Sequence, residues 1–313
     1  APAGAAAQRS LGRIVASAGA EKVAIDTPQA VTALDQDDMD DAQATTMGDL
    51  LEAIPGVSVV GGVSALGQGF NIRGMGTGIA DSDSRILTQI DGVTKFFEQY
   101  RMGALFSEPD MYKRVEVLRG PASSTLYGAG ALAGVVNFTT KDASDFLTGD
   151  DRFAVRLRAG FESNNEGLFG TAIVAGQPAE NLDLLAMYTR READDYKSGD
   201  GATVVPSGVT SSSYLLKGRY YIGGDQDHSI WATYQNWLSD STQIYDQAEA
   251  FGTTPVRRKV DDITATFGYE NDFGGSKLFD LEAQVSYANS KVEQRETTFL
   301  SGVVYSEFSY ETW

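Results

Sequence analysis

From residue 150 onward the chain alternates. Phe153, Val155, Leu157, Ala159 and Phe161 interleave with Ala154, Arg156, Arg158, Gly160 and Glu162. The same period of two returns at Ile263, Ala265, Phe267 and Tyr269, and at Phe279, Leu281, Ala283, Val285 and Tyr287. Successive strand residues face opposite ways, so each run makes one apolar and one polar face. A soluble antiparallel sheet with one wet face gives this alternation, and so does a transmembrane strand that is apolar toward lipid and polar toward a lumen. The connections separate the two. Residues 178–181, 223–227 and 273–277 are tight turns, whereas longer polar stretches lie near 193–211 and 239–258. Short turns at one end and long loops at the other mark a barrel in an outer membrane, with the turns in the periplasm. The pattern predicts strands at 152–162, 168–177, 182–192, 212–223, 228–238, 259–272, 278–294 and 298–313. The loop at 163–167 is short for an external one.

Composition fits such a location. The chain has no cysteine, which suits an oxidising compartment where a free thiol would mispair. It has no apolar run of about 18 residues, so a membrane crossing would have to be made by strands. Its net charge of −18 argues against nucleic acid and against docking on anionic lipid. The opening Ala1-Pro2-Ala3-Gly4 reads as a mature terminus left by signal-peptide removal.

Before residue 150 the texture differs. Val115-Glu116-Val117-Leu118-Arg119-Gly120-Pro121 is an apolar strand stopped by Gly-Pro. A polar segment ending at Tyr127-Gly128 and a Gly/Ala-rich turn then lead to a second apolar strand, Val135-Val136-Asn137-Phe138. In Thr45-Thr46-Met47-Gly48-Asp49-Leu50-Leu51-Glu52-Ala53-Ile54-Pro55-Gly56, the residues Met47, Leu50, Leu51 and Ile54 fall at helical spacing. Thr46 with Asp49 imitates a capping box, and Pro55-Gly56 stops the helix. Phe70-Asn71-Ile72-Arg73-Gly74 and Gln89-Ile90-Asp91-Gly92-Val93 read as further strands, and Leu11-Gly12-Arg13-Ile14-Val15-Ala16-Ser17-Ala18 as a short extended segment. Together these ordered motifs resemble the TonB box and plug domain of TonB-dependent outer-membrane receptors, over about residues 11 to 147.

The resemblance implies an α+β plug domain inside a transmembrane antiparallel β-barrel. Such transporters have about 22 strands, and about eight fit here. The expected division is 1–20 for the TonB box and N-terminal segment, 21–147 for the plug and 148–313 for the first part of the barrel. The chain would be the N-terminal portion of a larger receptor; a reduced protein ending at Trp313 would leave two unpaired edges in lipid. The resemblance also makes Ile14, Val15, Ala16, Ser17 and Ala18 the TonB-coupling segment, paired by strand addition. It makes Arg73 and Arg119, with Glu116 beside Arg119, plug-locking residues whose partners would be wall carboxylates such as Asp280 and Glu282. Plug loops at 61–69 and 95–108 would face outward. Phe96, Phe97, Tyr100 and Met102, with Phe106, form an apolar cluster there, either a substrate-binding surface or packing against the barrel wall. Asp35, Asp37, Asp38, Asp40 and Asp41 lack the Gly and terminal Glu of an EF-hand and read as a helix-leading acidic stretch. Asp81-Ser82-Asp83 reads as a solvated turn.

Three functions compete. The first is active, TonB-dependent transport of a scarce iron compound, haem or a ferric siderophore, across the outer membrane of a Gram-negative bacterium. The second is a receptor for cobalamin, carbohydrate or another organic compound, or one that mainly binds or signals; only about ten residues precede the TonB box, too few for an added signalling domain. The third is an enzyme, but no Ser/His/Asp arrangement, paired-carboxylate frame or metal-ligand cluster is legible. Residues 130–147, with Tyr188-Thr189-Arg190-Arg191 and 213–217, resemble most the haem/haemoglobin receptor branch. Against haem stands the shortage of axial ligands: the one histidine, His228, follows a periplasmic turn, which leaves Tyr100 or residues outside this sequence. No resident cofactor or metal is expected, haem or a ferric chelate being cargo. The implied partners are the TonB protein, outer-membrane lipid and lipopolysaccharide, the remainder of the barrel and an extracellular small molecule.

Overall fold

The computed structural model describes residues 13–15, 21–23, 30–52, 54–60, 69–75, 85–95, 105–120, 131–223, 228–244, 255–274, 278, 280–298 and 304–312. Near the start, β1 (Arg13–Val15) pairs antiparallel with β2 (Glu21–Val23). The plug is built on a mixed five-stranded sheet of β3 (Ala30–Leu34), β8 (Tyr112–Arg119), β9 (Gly134–Thr140), β6 (Ile86–Ile90) and β7 (Val93–Lys95), in that spatial order. Only the β6–β9 pair is parallel. The β6–β7 turn holds Asp91 at φ 47° and Gly92 at φ 76°, both left-handed, as the type I′ turn favoured by Asp-Gly requires. The Asp91 carboxylate accepts from Thr140 N at 2.9 Å and from Thr140 Oγ1, tying this turn to the end of β9.

Two short helices cover the sheet. The helix expected after Thr46 is α2 (Met47–Glu52), and its cap is the expected one: Thr46 Oγ1 accepts from Asp49 N, while Asp49 Oδ2 accepts from Thr46 N. Met47, Leu50, Leu51 and Ile54 are all buried. It is the plug's second helix. The acidic stretch before it forms α1 (Gln36–Ala42) itself, capped by a reciprocal Asp35–Asp38 box that uses two of the acids to satisfy helix-end N–H groups. β4 (Val57–Val60) and β5 (Gly69–Ile72) complete the plug as an antiparallel pair.

The wall is one antiparallel sheet of eight strands in chain order: β10 (Phe153–Glu162), β11 (Gly167–Ala179), β12 (Leu182–Ala193), β13 (Val209–Tyr221), β14 (His228–Ile244), β15 (Pro255–Asn271), β16 (Leu281–Thr298) and β17 (Val304–Thr312). Among the described residues it is an open sheet with β10 and β17 as edges. The outer face is apolar and bare: Leu157 is 76% exposed, and Phe153, Phe161, Leu168, Leu184, Leu216, Phe267 and Val285 are exposed with it. So large an apolar surface is explained by lipid. No described helix is long and apolar enough to cross a membrane.

Two expectations need correction. β13, β14 and β15 run further toward the long loops than the polar stretches implied, because Ser211, Ser239, Gln243, Val256 and Arg258 are buried at inward positions and keep the ladder in place. The inner face is also not uniformly polar. Ile173, Ala175, Leu185, Met187 and Leu215 join Leu50, Ile72, Met111, Val115 and Phe138 of the plug in one core. The lumen is filled with protein there, and water-facing logic does not apply.

Gly134 tests the plug's architecture. Its φ is +157°, and a Cβ there would lie 2.1 Å from Leu118 O across the β8–β9 ladder. Gly134→Ala should therefore force the two central strands apart and make the plug protease-sensitive in the full-length receptor; a variant as resistant as wild type would contradict this packing.

Candidate functional site

The interface between plug and wall carries the densest set of charged contacts. A 3-10 turn at Pro109–Met111 brings the segment 107–112 against five consecutive strands. Arg191 of β12 reaches Glu108 at 3.1 Å and is joined there by Ser211 Oγ of β13, which donates to Glu108 Oε1 at 3.2 Å. The two ionic side chains are only 6% and 4% exposed. Arg191 also donates to Thr45 O and lies 4.9 Å above the Phe169 ring. Asp110 pairs with Arg158 of β10 and accepts from Thr171 Oγ1 of β11 at 2.6 Å. Gln235 of β14 donates to Ser107 Oγ and Tyr112 OH, both at 3.2 Å. Burial among these groups pushes the Tyr112 phenol well above its ordinary value.

Three further pairs cross the gap. Lys217 of β13 meets Asp142 at 2.8 Å, and Lys113 meets the same carboxylate at 2.6 Å from within the plug. Arg156 meets Asp40 at 3.4 Å near the surface. Lys95, at the end of β7, reaches Asp262 and Thr264 of β15 at 2.8 Å each. Four of these five wall–plug ion pairs thus set a wall cation on a plug carboxylate. Burial alone would raise the Asp142 carboxyl, but the Lys217 and Lys113 ammonium groups outweigh it and hold it at about 2.

The residues singled out in the sequence fall differently. Arg119 donates to Pro55 O and, at 2.7 Å, to Thr32 Oγ1, both in the plug. Arg73 follows β5 at φ 54° with an exposed side chain, its N–H donating to Gly56 O. Glu116 is fully buried and pairs with Arg114 at 2.6 Å. Glu282 and Asp280 are exposed. Ile14 and Val15 lie in β1, whereas Ala16, Ser17 and Ala18 lie outside the described residues, as do Phe96, Phe97, Tyr100, Met102 and the 81–83 turn. Phe106 stacks on Trp237 of β14, centroids 5.5 Å apart, so this part of the aromatic cluster packs on the wall. His228 opens β14 edge-on to Tyr269. Glu108 and Asp110 were not legible, since Ser-Glu-Pro-Asp reads as a wet turn. The available signal was in the wall: Arg158 falls in the polar register of its strand, and an inward cation needs a partner.

Residues 23–135 match the family model described as TonB-dependent Receptor Plug Domain. The chain is 36% identical over 290 residues to the TonB-dependent heme receptor A of Haemophilus ducreyi, covering 86% of this chain and 38% of that protein. It is 30% identical over 223 residues to the Hemin receptor of Yersinia enterocolitica, covering 71% of this chain and 31% of that one. Among solved structures, the FrpB iron transporter of Neisseria meningitidis superposes with a TM-score of 0.74 at 24% identity, over 90% of this chain and 44% of that one. The Serratia marcescens hemophore receptor HasR, solved with its hemophore and heme, gives 0.70 at 22% identity over 87% and 39%. The chain thus spans well under half the length of the proteins it matches.

Two measurements probe the interface. Arg191→Ala leaves Glu108 as a buried, uncompensated charge and should weaken plug seating by about 3–5 kcal/mol in denaturant, with much of the loss recovered by adding Glu108→Gln. A single mutant seated as firmly as wild type would remove Arg191 from the account. The Asp142 carboxyl is depressed in the folded state, so its contribution is present above the ordinary value near pH 4 and lost as pH falls through about 2. About 2 kcal/mol of plug stability should disappear over that window, and Asp142→Asn should flatten it.

Proposed function

Because the chain belongs to the TonB-dependent receptors of the Gram-negative outer membrane, we propose that the whole receptor imports an iron-containing compound, haem ahead of a ferric siderophore, with energy delivered by TonB. The observation that carries this reading is the core shared by plug and wall: apolar residues on the lumen face of β11–β13 pack with the plug sheet in one core. A lumen filled in this way offers no passive route past these strands, so passage requires work on the plug. Haem is favoured by the relatives that bear heme or hemin in their names.

Each part then has a task. Ile14, Val15, Ala16, Ser17 and Ala18 receive TonB by strand addition, for which β1 already supplies extended backbone. Phe96, Phe97, Tyr100 and Met102 meet substrate from outside, and the Tyr100 phenolate is the available axial ligand for haem iron in the plug. Arg119 holds β8 to β3 and to Pro55 just beyond the second helix, and with Arg73 and Glu116 it takes part in locking the plug in its seat. The bare outer face of the wall meets lipid and lipopolysaccharide, and strands beyond this chain close the ring. Iron transport receptors of this kind bind and move their cargo without chemistry on it.

The test is growth and uptake by cells carrying the full-length receptor, with haem as the iron source. Ile14→Pro or Val15→Pro removes a backbone donor from the coupling strand and should abolish uptake while surface binding of haem persists. Uptake at the wild-type rate by either variant would sink the coupling assignment.

A further inference from the structure

The segment between β7 and the 3-10 turn is held to the wall at both ends. At its start, the Lys95 side chain is only 4% exposed, and its ammonium donates to Asp262 Oδ1 and Thr264 Oγ1 of β15, each at 2.8 Å. Asp262 also accepts from Ser290 Oγ of β16, so the carboxylate is itself fixed. At the other end, Phe106 stacks on Trp237 of β14 and packs with Val209, Val260 and Val292. Trp237 and Asp262 are directly paired across the β14–β15 ladder, so the two wall anchors lie about 5 Å apart at the backbone. Residues 96–105 could span about 30 Å if extended. The wall therefore gathers both ends of this segment onto one row. Within the plug, β7 is an edge strand joined to β6 through Val93, Thr94 and Lys95 alone, so the sheet gives the first end little grip. Among the described residues, Lys95–Asp262 is also the one wall–plug ion pair whose cation belongs to the plug.

We propose that Lys95 is a positioning residue for cargo. It acts through its neighbours: the Lys95–Asp262 pair fixes where the segment bearing Phe96, Phe97, Tyr100 and Met102 begins, as the Phe106–Trp237 stack fixes where it ends. A segment with both ends fixed has less freedom to lose when cargo binds, so the tether raises affinity without adding a contact to the cargo. The chemistry of the tether suits this task. An apolar residue at position 95 would adhere to many places on the wall, whereas a buried ammonium is satisfied only where a carboxylate and a hydroxyl meet it together. The inference rests on the reading that these aromatic residues meet haem, and it adds what orders them.

The experiment uses the full-length receptor and haem, with affinity read from quenching of tryptophan fluorescence and plug seating from denaturant titration. Lys95→Met strands the buried Asp262 carboxylate and should weaken both. Adding Asp262→Asn removes the stranded charge and should restore seating, while haem affinity stays about tenfold or more below wild type because the tether is still missing. A residue that merely stabilised the plug would regain affinity together with seating. Recovery of both in the double variant therefore overturns the proposal, as does unchanged haem affinity in Lys95→Met. Lys217→Met, which loosens the plug at its exit, is the reference and should bind haem as wild type does. Weakening by Lys217→Met equal to that of the Lys95 variants overturns the proposal even where seating stays low in the double variant. These results leave the haem reading standing; failure of the wild-type receptor to bind haem overturns that reading and this inference with it.

Discussion

The seating of segment 107–112 against the inward cations of the wall is the contact on which the rest of the arrangement depends. Glu108 and Asp110 stand two residues apart on either side of Pro109, so one short turn sends one carboxylate to β12 and β13 and the other to β10 and β11. Ser107 and Tyr112 then add β14 through Gln235. Four plug residues thereby fix the plug against five wall strands, and the shared apolar core packs in that registration. Lys95–Asp262 and Lys217–Asp142 extend the same fixation sideways to β15 and down to the plug's exit.

Much of the wall was legible because one physical rule governs it. Lipid on one side and protein on the other demand alternation, and alternation survives any choice of particular residues. The runs beginning at Phe153 and ending near Tyr269 therefore give strand identity and facing directly. Their ends are a different matter. β14 and β15 extend to Ile244 and from Pro255, where polar inward residues such as Gln243 and Arg258 look like loop in the sequence. They stay in strand because they partner one another and Gln294 across the β14–β16 ladder, a tertiary effect that no local window contains. The second plug helix was legible for the opposite reason: its capping box and its Pro-Gly stop are local chemistry.

The charged site resisted reading because ion pairing is non-local. Arg73 and Arg119 stand out beside glycines, and the resemblance gives them wall partners. In the fold, Arg119 spans from β8 to Thr32 and to Pro55, distant in sequence and close in the plug. Of the acids that meet the wall, Asp40 lies in α1 and the other three sit in Ser-Glu-Pro-Asp and in Lys-Asp-Ala-Ser, strings that would be solvent-exposed turns in most proteins. What distinguishes them is the identity of the opposing surface: Arg158, Arg191 and Lys217 all occupy inward positions of the alternation. The informative question is which inward wall residues are charged, since burial forces each to find an opposite charge.

An interface meant only to be strong would be apolar. Replacing a buried ion pair with well-packed hydrophobic residues is commonly neutral or stabilising, whereas removing one partner costs several kcal/mol. The Glu108–Arg191 pair, almost wholly buried, therefore adds little to the total attraction between plug and wall and much to its selectivity among seatings. A plug shifted by one strand residue would keep most of its apolar contacts, but Arg191, Arg158 and Lys217 would each face the wrong group. Dispersion and burial press the plug into the wall, and the charges decide where it stops. A part that must be moved by an external pull and then return to one position is served better by that division than by adhesion alone.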